Sequence, residues 1–172
     1  YPGGNDFEGI TMNRLTGDIY VVDEAEMTVY QLSAAGDAIT EVVKITIEGA
    51  QNNRGLEGIT LGRDTLYIVN QGSPTRLFKY CLTSRTLNYL DITGSGYLSD
   101  ICYDETDDTL WIVDSKNREV TRRDRQGKMI GEPLPIPYVD QAEGIVVDRE
   151  KGLLWIGCDT TSKLYKVKIT GM

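Results

Sequence analysis

A six-residue signature recurs in four copies along the chain and limits the folds open to it. Asp6-Phe7-Glu8-Gly9-Ile10-Thr11 returns as Gly55-Leu56-Glu57-Gly58-Ile59-Thr60 and as Gln141-Ala142-Glu143-Gly144-Ile145-Val146. A weaker copy reads Tyr97-Leu98-Ser99-Asp100-Ile101-Cys102. Positions 8, 57, 99 and 143 lie 49, 42 and 44 residues apart, the length of one propeller blade.

Each copy leads into a second run rich in β-branched and aromatic residues: Ile19–Asp23, Leu66–Asn70, Leu110–Asp114 and Leu154–Asp159. Gly- or Asp-containing turns precede these runs, and such residues tolerate hairpin backbones. A third, alternating run follows at Val29–Leu32, Leu77–Tyr80, Val120–Arg123 and Leu164–Val167. A fourth appears in three copies, near Ile39–Lys44, Leu87–Leu90 and Lys128–Ile130. No helical period competes over a long window. The expected fold is all-β, a single β-propeller domain over 1–172 with four-stranded antiparallel blades at about 6–48, 55–92, 97–135 and 141–169.

No spare strand is visible to close a ring, since the last unit ends at Met172 before a fourth strand and seven residues precede Glu8. The expectation is part of a five- or six-bladed ring lacking an N-terminal blade. An open blade edge invites self-association by strand pairing. Pro133–Pro137 reads as an interblade link, the alternative being a proline-rich ligand.

Composition narrows the chemistry. The 172-residue chain has 18 Lys+Arg against 26 Asp+Glu, a net charge of −8, which argues against nucleic acid as a partner. No apolar run is long enough for a transmembrane segment, and Tyr1-Pro2-Gly3-Gly4 does not open a signal peptide. Cys81, Cys102 and Cys158 fit no zinc or redox spacing and read as small buried hydrophobes. Histidine is absent, which removes His-based triads and His zinc sites. An enzyme built from this chain must use carboxylates, Lys, Tyr, Ser or an oxygen-held metal.

Strand order places the remaining chemistry. The first strand of a blade lines the central channel, so Glu8, Glu57, Ser99 and Glu143 are expected to ring one mouth. Asp23, Asn70, Asp114 and Asp159, at the ends of the second strands, are expected further out on the same face as ligand-binding residues. Asp100 stands where other copies have Gly and adds a carboxylate. Converging carboxylates must spread, share protons or bridge a cation. Oxygen donors alone suit a hard cation such as calcium, with Glu8, Glu57 and Glu143 as metal ligands. The competing reading makes the Glu-Gly pairs inner-strand packing features. Arg76, Lys116, Arg118 and Lys163 in the following loops, with Arg54, are candidates to hold a phosphate or carboxylate, or are ordinary solvated charges. Trp111 and Trp155, like Tyr20 and Tyr67, occupy matching positions and read as packing between blades.

These residues resemble a known family. Asp6–Ile10, Arg54–Thr60, Leu98–Asp104 and Gln141–Asp148, each followed by a strand like Leu66–Val69 or Leu110–Val113, resemble the SdiA-regulated (YjiK-like) family over nearly the whole chain. Asn53-Arg54-Gly55-Leu56-Glu57-Gly58 and Gln141-Ala142-Glu143-Gly144 are the most specific matches. The resemblance implies a bacterial cell-envelope β-propeller, periplasmic or extracellular, without an established reaction, and with another blade before Asp6. This chain departs from the family's Leu-Ser-Gly at Leu98-Ser99-Asp100. Gln141–Asp148 with Leu154–Gly157 is more distantly similar to β-propeller phytases, which are calcium-dependent phosphomonoesterases. The architecture also resembles calcium-holding gluconolactonase-type propellers.

Three functions follow as expectations. The first is a non-enzymatic, calcium-binding propeller of the cell envelope that takes a small-molecule or protein ligand on the same face. The second is a calcium-dependent phosphoester or lactone hydrolase with Asp100 or Asp114 as base. The third is a structural module that associates through an open blade edge.

Overall fold

The computed structural model describes residues 6–48 and 55–169. Arg54, Asn53, the first four residues and Met172, all used in the sequence argument, lie outside them. The described chain is all-β and forms four antiparallel sheets arranged as blades of a β-propeller. Blade 1 is β1 (Phe7–Met12), β2 (Ile19–Asp23), β3 (Thr28–Leu32) and β4 (Ile39–Lys44). Blade 2 is β5 (Leu56–Gly62), β6 (Thr65–Asn70), β7 (Arg76–Cys81) and β8 (Thr86–Asp91). Blade 3 is β9 (Leu98–Asp104), β10 (Thr109–Asp114), β11 (Glu119–Asp124) and β12 (Leu134–Pro135). Blade 4 has three strands, β13 (Ala142–Asp148), β14 (Leu153–Cys158) and β15 (Lys163–Lys168). Among the described residues no helix is long and apolar enough to cross a membrane.

One expected strand moves. The outer strand of blade 3 is Leu134–Pro135, paired with Val120 and Glu119, rather than Lys128–Ile130. Met129 makes only an isolated bridge to Arg123. The proline-rich segment therefore serves as an edge strand, where a missing N–H is harmless.

The core lies between blades. Tyr20, Val22 and Val29 of blade 1 pack with Leu56, Ile59 and Ile68 of blade 2. Tyr67, Val69 and Leu77 pack with Leu98, Ile101 and Ile112. Trp111, Val113 and Val120 pack with Ile145, Leu154 and Ile156. A second strand between two blades must be apolar on both faces. Hence β10 is buried at every residue, whereas β14 alternates buried and half-buried positions. The outer faces of the end blades carry exposed apolar residues: Phe7, Ile10 and Met12 on β1, Val146 and Leu164 on blade 4.

The inner strands approach very closely. A Cβ on Gly9 would lie 2.2 Å from the Glu57 carbonyl oxygen, and one on Gly58 would lie 2.5 Å from the Asp100 Cα. Only glycine permits this contact of backbone with backbone. Side-chain clips repeat three residues after each Glu position. Thr11 Oγ1 accepts Leu61 N–H at 3.3 Å, and Thr60 Oγ1 accepts Tyr103 N–H at 3.1 Å.

Candidate functional site at the channel mouth

Every inner strand is bulged at the same place. Between Phe7 and Ile10, Leu56 and Ile59, Leu98 and Asp100, and Ala142 and Gly144, the first strand carries one more residue than its partner. The extra residue falls at Glu8-Gly9, Glu57-Gly58, Ser99 and Glu143. A bulge breaks alternation and re-aims a side chain. Here it lets Glu8, Glu57, Ser99 and Glu143 line one cavity while the preceding Leu56, Leu98 and Ala142 stay in the interblade core.

That cavity, about 760 Å³, is lined by six carboxylates: Glu8, Glu24, Glu57, Asp100, Glu143 and Asp159. Gln71, Ser99 and Cys158 supply its remaining polar side chains, and among the described residues no Lys or Arg lines it. Asp6, Glu8 and Glu24 present carboxylate oxygens within 4.8 Å of one another. Glu57 is 5% exposed and Ser99 4% exposed, because the middle blades are covered on both sides. Glu8 and Glu143, on the end blades, are exposed.

Electrostatics follow from this crowding. Burial, and then the charges of Glu24, Glu8, Glu143 and Asp6, push Glu57 up to about 9. Burial and Glu8 raise Glu143, with a contribution from Asp159. Burial and Asp6 raise Glu8, with Glu24 adding to them. Asp100 is pushed up to about 7, chiefly by burial, although its Oδ2 accepts Ile145 N–H at 2.8 Å. A mouth of this kind holds protons at neutral pH for want of another cation.

The second-strand ends divide differently from their expected places. Asp23, Asn70 and Asp114 pair with Phe7, Leu56 and Leu98, and the residue in register with them on blade 4 is Cys158, opposite Ala142. Asp159 sits one step further on, in register with Glu24 and Gln71. The backbone confirms the frame: Glu24, Gln71, Ser115 and Asp159 donate their N–H to Asp6, Gly55, Tyr97 and Gln141. One step along the chain changes the face, so Glu24, Gln71 and Asp159 line the cavity.

The earlier position is structural. Asp114 Oδ1 accepts the N–H groups of Tyr97 and Asn117, and Oδ2 that of Gly96 at 2.6 Å. Asn70 holds Arg76 N–H at 2.7 Å and donates to the carbonyls of Gly72 and Pro74. Asp23 Oδ1 accepts Glu26 N–H at 2.8 Å. All three are buried as loop caps, and Asp114, expected as a base, does not line the cavity.

The basic candidates also lie elsewhere. Arg76 pairs with Asp91 at 2.9 Å and covers the Tyr89 ring. Lys116 lies 5.0 Å over the Tyr97 ring, and Arg118 pairs with Asp140 at 2.6 Å. Lys163 is exposed at the start of β15. Glu24 was not singled out in the sequence. Its signal is positional, the residue directly after each second strand, because only two of Glu24, Gln71, Ser115 and Asp159 are carboxylates.

Comparison with known proteins adds a family to this geometry. The phytase-like family, described as "Esterase-like activity of phytase", matches residues 1–89, more than half of the 172. The chain belongs to the phytase-like family. No curated protein matches it. Among solved structures it is similar to virginiamycin B lyase from Staphylococcus aureus, with 16% identity, a TM-score of 0.68, and coverage of 99% of this chain and 58% of that one. A chain of a nidogen/laminin complex matches with 14% identity and a TM-score of 0.67, covering 97% of this chain and 65% of that one. A streptogramin B lyase matches with 18% identity and a TM-score of 0.57, covering 98% and 70%. At these identities the likeness shows the propeller fold. The chain spans less than two thirds of the length of the first two.

Proposed function

We propose that this phytase-like propeller binds a hard divalent cation, calcium by its donor chemistry, at the acidic mouth and acts there as a cation-dependent esterase on phosphoesters. The observation that carries the reading is the convergence of six carboxylates on one cavity that no basic side chain lines among the described residues. The residues fit the ion: the donors are all oxygen, and three of them, on Asp6, Glu8 and Glu24, lie within ligand reach of each other. Family membership supports ester chemistry. A bound cation would supply charge to polarise an ester oxygen and acidify a water.

The chain's own groups have separable tasks in this reading. Glu8 and Glu24, with Asp6, hold the ion on the blade 1 side. Glu57, raised chiefly by burial, lines the same cavity and is the candidate to hand a proton to a leaving oxygen. Asp100 lines the same cavity with a carboxyl that titrates near neutrality, as a general base requires. The test is thermal unfolding of the full chain with calcium and then excess EDTA, followed by phosphatase and lactonase assays with and without calcium. A calcium-induced rise in Tm with calcium-dependent release of phosphate supports the reading, and neither effect defeats it.

A second reading keeps the cation and drops the chemistry, leaving a calcium-stabilised binding scaffold of the cell envelope. It is favoured by Arg76, Lys116 and Arg118, which are engaged with Asp91, the Tyr97 ring and Asp140 and do not line the cavity. Its envelope location rests on the SdiA-regulated resemblance and is checked by cell fractionation. Self-association through the end blades is supported by exposed Phe7, Ile10, Val146 and Leu164, and a monomer mass in solution rules it out.

A further inference from the structure

The mouth is not chemically even. At the bulge position three blades carry Glu8, Glu57 and Glu143, and blade 3 carries Ser99. Ser99 is 4% exposed, lines the cavity, and its Oγ has no hydrogen-bond partner. A buried hydroxyl normally finds one, so this residue of the cavity wall keeps an unused capacity to donate. The two unpartnered atoms elsewhere, Asp23 Oδ2 and Trp111 Nε1, belong to residues that do not line it.

The ligand's chemistry follows from what surrounds the hydroxyl. Ionised carboxylates only accept hydrogen bonds, so they cannot hold an anionic oxygen. Among the described cavity-lining side chains the neutral donors other than protonated carboxyl groups are the Ser99 hydroxyl, the Gln71 amide and the Cys158 thiol. The thiol is already engaged with Thr160 Oγ1 at 3.4 Å and the Asp140 carbonyl at 3.9 Å. Serine at this position also removes one negative charge and the bulk of a glutamate from the ring. The Asp6, Glu8 and Glu24 oxygens cluster on blade 1, whereas Gln71 and Ser99 belong to blades 2 and 3. One side of the mouth suits a cation and the other can donate to an anion.

We propose that Ser99 is an anion-positioning residue, its hydroxyl donating to a phosphoryl oxygen of a phosphomonoester brought to the mouth by the cation. The inference rests on the cation-binding reading above. Ser99 breaks the carboxylate ring where the substrate's own negative charge must enter, and it fixes the orientation of that charge relative to Glu57 and Asp100.

Calorimetry tests this on the full chain, with calcium alone and then with glycerol 2-phosphate as the phosphomonoester. Ser99→Ala is expected to weaken glycerol 2-phosphate about tenfold, as expected for one charge-assisted hydrogen bond, and to leave calcium affinity unchanged. Ser99→Thr keeps a hydroxyl and is expected to restore binding. Ser99→Glu is expected to abolish glycerol 2-phosphate binding while calcium still binds. Acetate in place of glycerol 2-phosphate separates phosphoryl recognition from general carboxylate binding and is expected to bind more weakly. Unchanged glycerol 2-phosphate affinity in Ser99→Ala, equal binding of acetate, or calcium binding with no phosphomonoester binding in the wild type overturns the assignment. Absence of calcium binding in the wild type instead removes the reading on which it rests.

Discussion

The Asp100 carboxylate accepts the amide N–H of Ile145 at 2.8 Å, joining blade 3 to blade 4 through a side chain. Blades 1 and 2 meet their successors at the equivalent point through the bare backbone of Gly9 and Gly58. The same residue thus faces the cavity and spans an interblade gap. Asp100→Gly, which restores the repeat, is expected to lose about 1–3 kcal/mol by leaving Ile145 N–H unpaired. Asp100→Asn keeps an acceptor and is expected to lose less. Urea unfolding midpoints decide between them.

Close approach makes the repeat glycines unequal. Gly58→Ala puts a Cβ 2.5 Å from the Asp100 backbone and is expected to cost about 1–3 kcal/mol, as overpacking does. In Gly144→Ala the nearest atom is Asp100 Oδ2 at 4.0 Å, so the change is expected to be small. Equal destabilisation of the two in urea melts contradicts the packing account.

Raised carboxyl groups fix the sign of the pH dependence. Glu57 ordinarily titrates at 4.5 and is held up to about 9, while Asp100 moves from 3.8 to about 7. The folded protein therefore keeps protons that the unfolded chain releases, and these groups favour folding most at low pH. In EDTA, stability is expected to fall as pH rises from about 4.5 towards 9. Glu57→Gln is expected to flatten that slope, and calcium to oppose it with release of protons. Thermal melts across this range, with proton release followed by calorimetry in two buffers, measure both effects.

Second-strand carboxylates are expected to separate cleanly into two kinds. Asp114→Ala strands three backbone N–H groups and is expected to cost at least about 3 kcal/mol, without a specific effect on calcium affinity of the folded fraction. Asp159→Asn, at an exposed cavity position, is expected to leave stability nearly unchanged and to weaken calcium binding. Paired urea melts and calcium titrations on the two variants check the division.

The architecture was legible because each blade repeats its burial pattern: the Leu66–Asn70 and Leu110–Asp114 runs are apolar on both faces since blades flank them on both sides. The mouth was legible to the extent that Glu8, Glu57 and Glu143 share an inner-strand position. What escaped was parity. A bulge adds one residue without changing composition, so the Glu-Gly signature does not announce that its side chain leaves the alternation. The Asp at 159 matched Asp23 and Asp114 by letter but not by register, and Cys158 held the true place. Arg76 and Arg118 follow second strands as expected, yet their partners Asp91 and Asp140 are remote in sequence and draw them outward.

The bulges have a consequence for how such a mouth changes over time. Because the extra residue lies outside the alternation that builds the interblade core, its identity is nearly decoupled from packing, while the glycine beside it is not. Blade 3 already records one such exchange, a hydroxyl for a carboxylate with the flanking core intact. The mouth is therefore set by four bulge residues, Glu8, Glu57, Ser99 and Glu143, and its ligand preference can be rewritten one blade at a time.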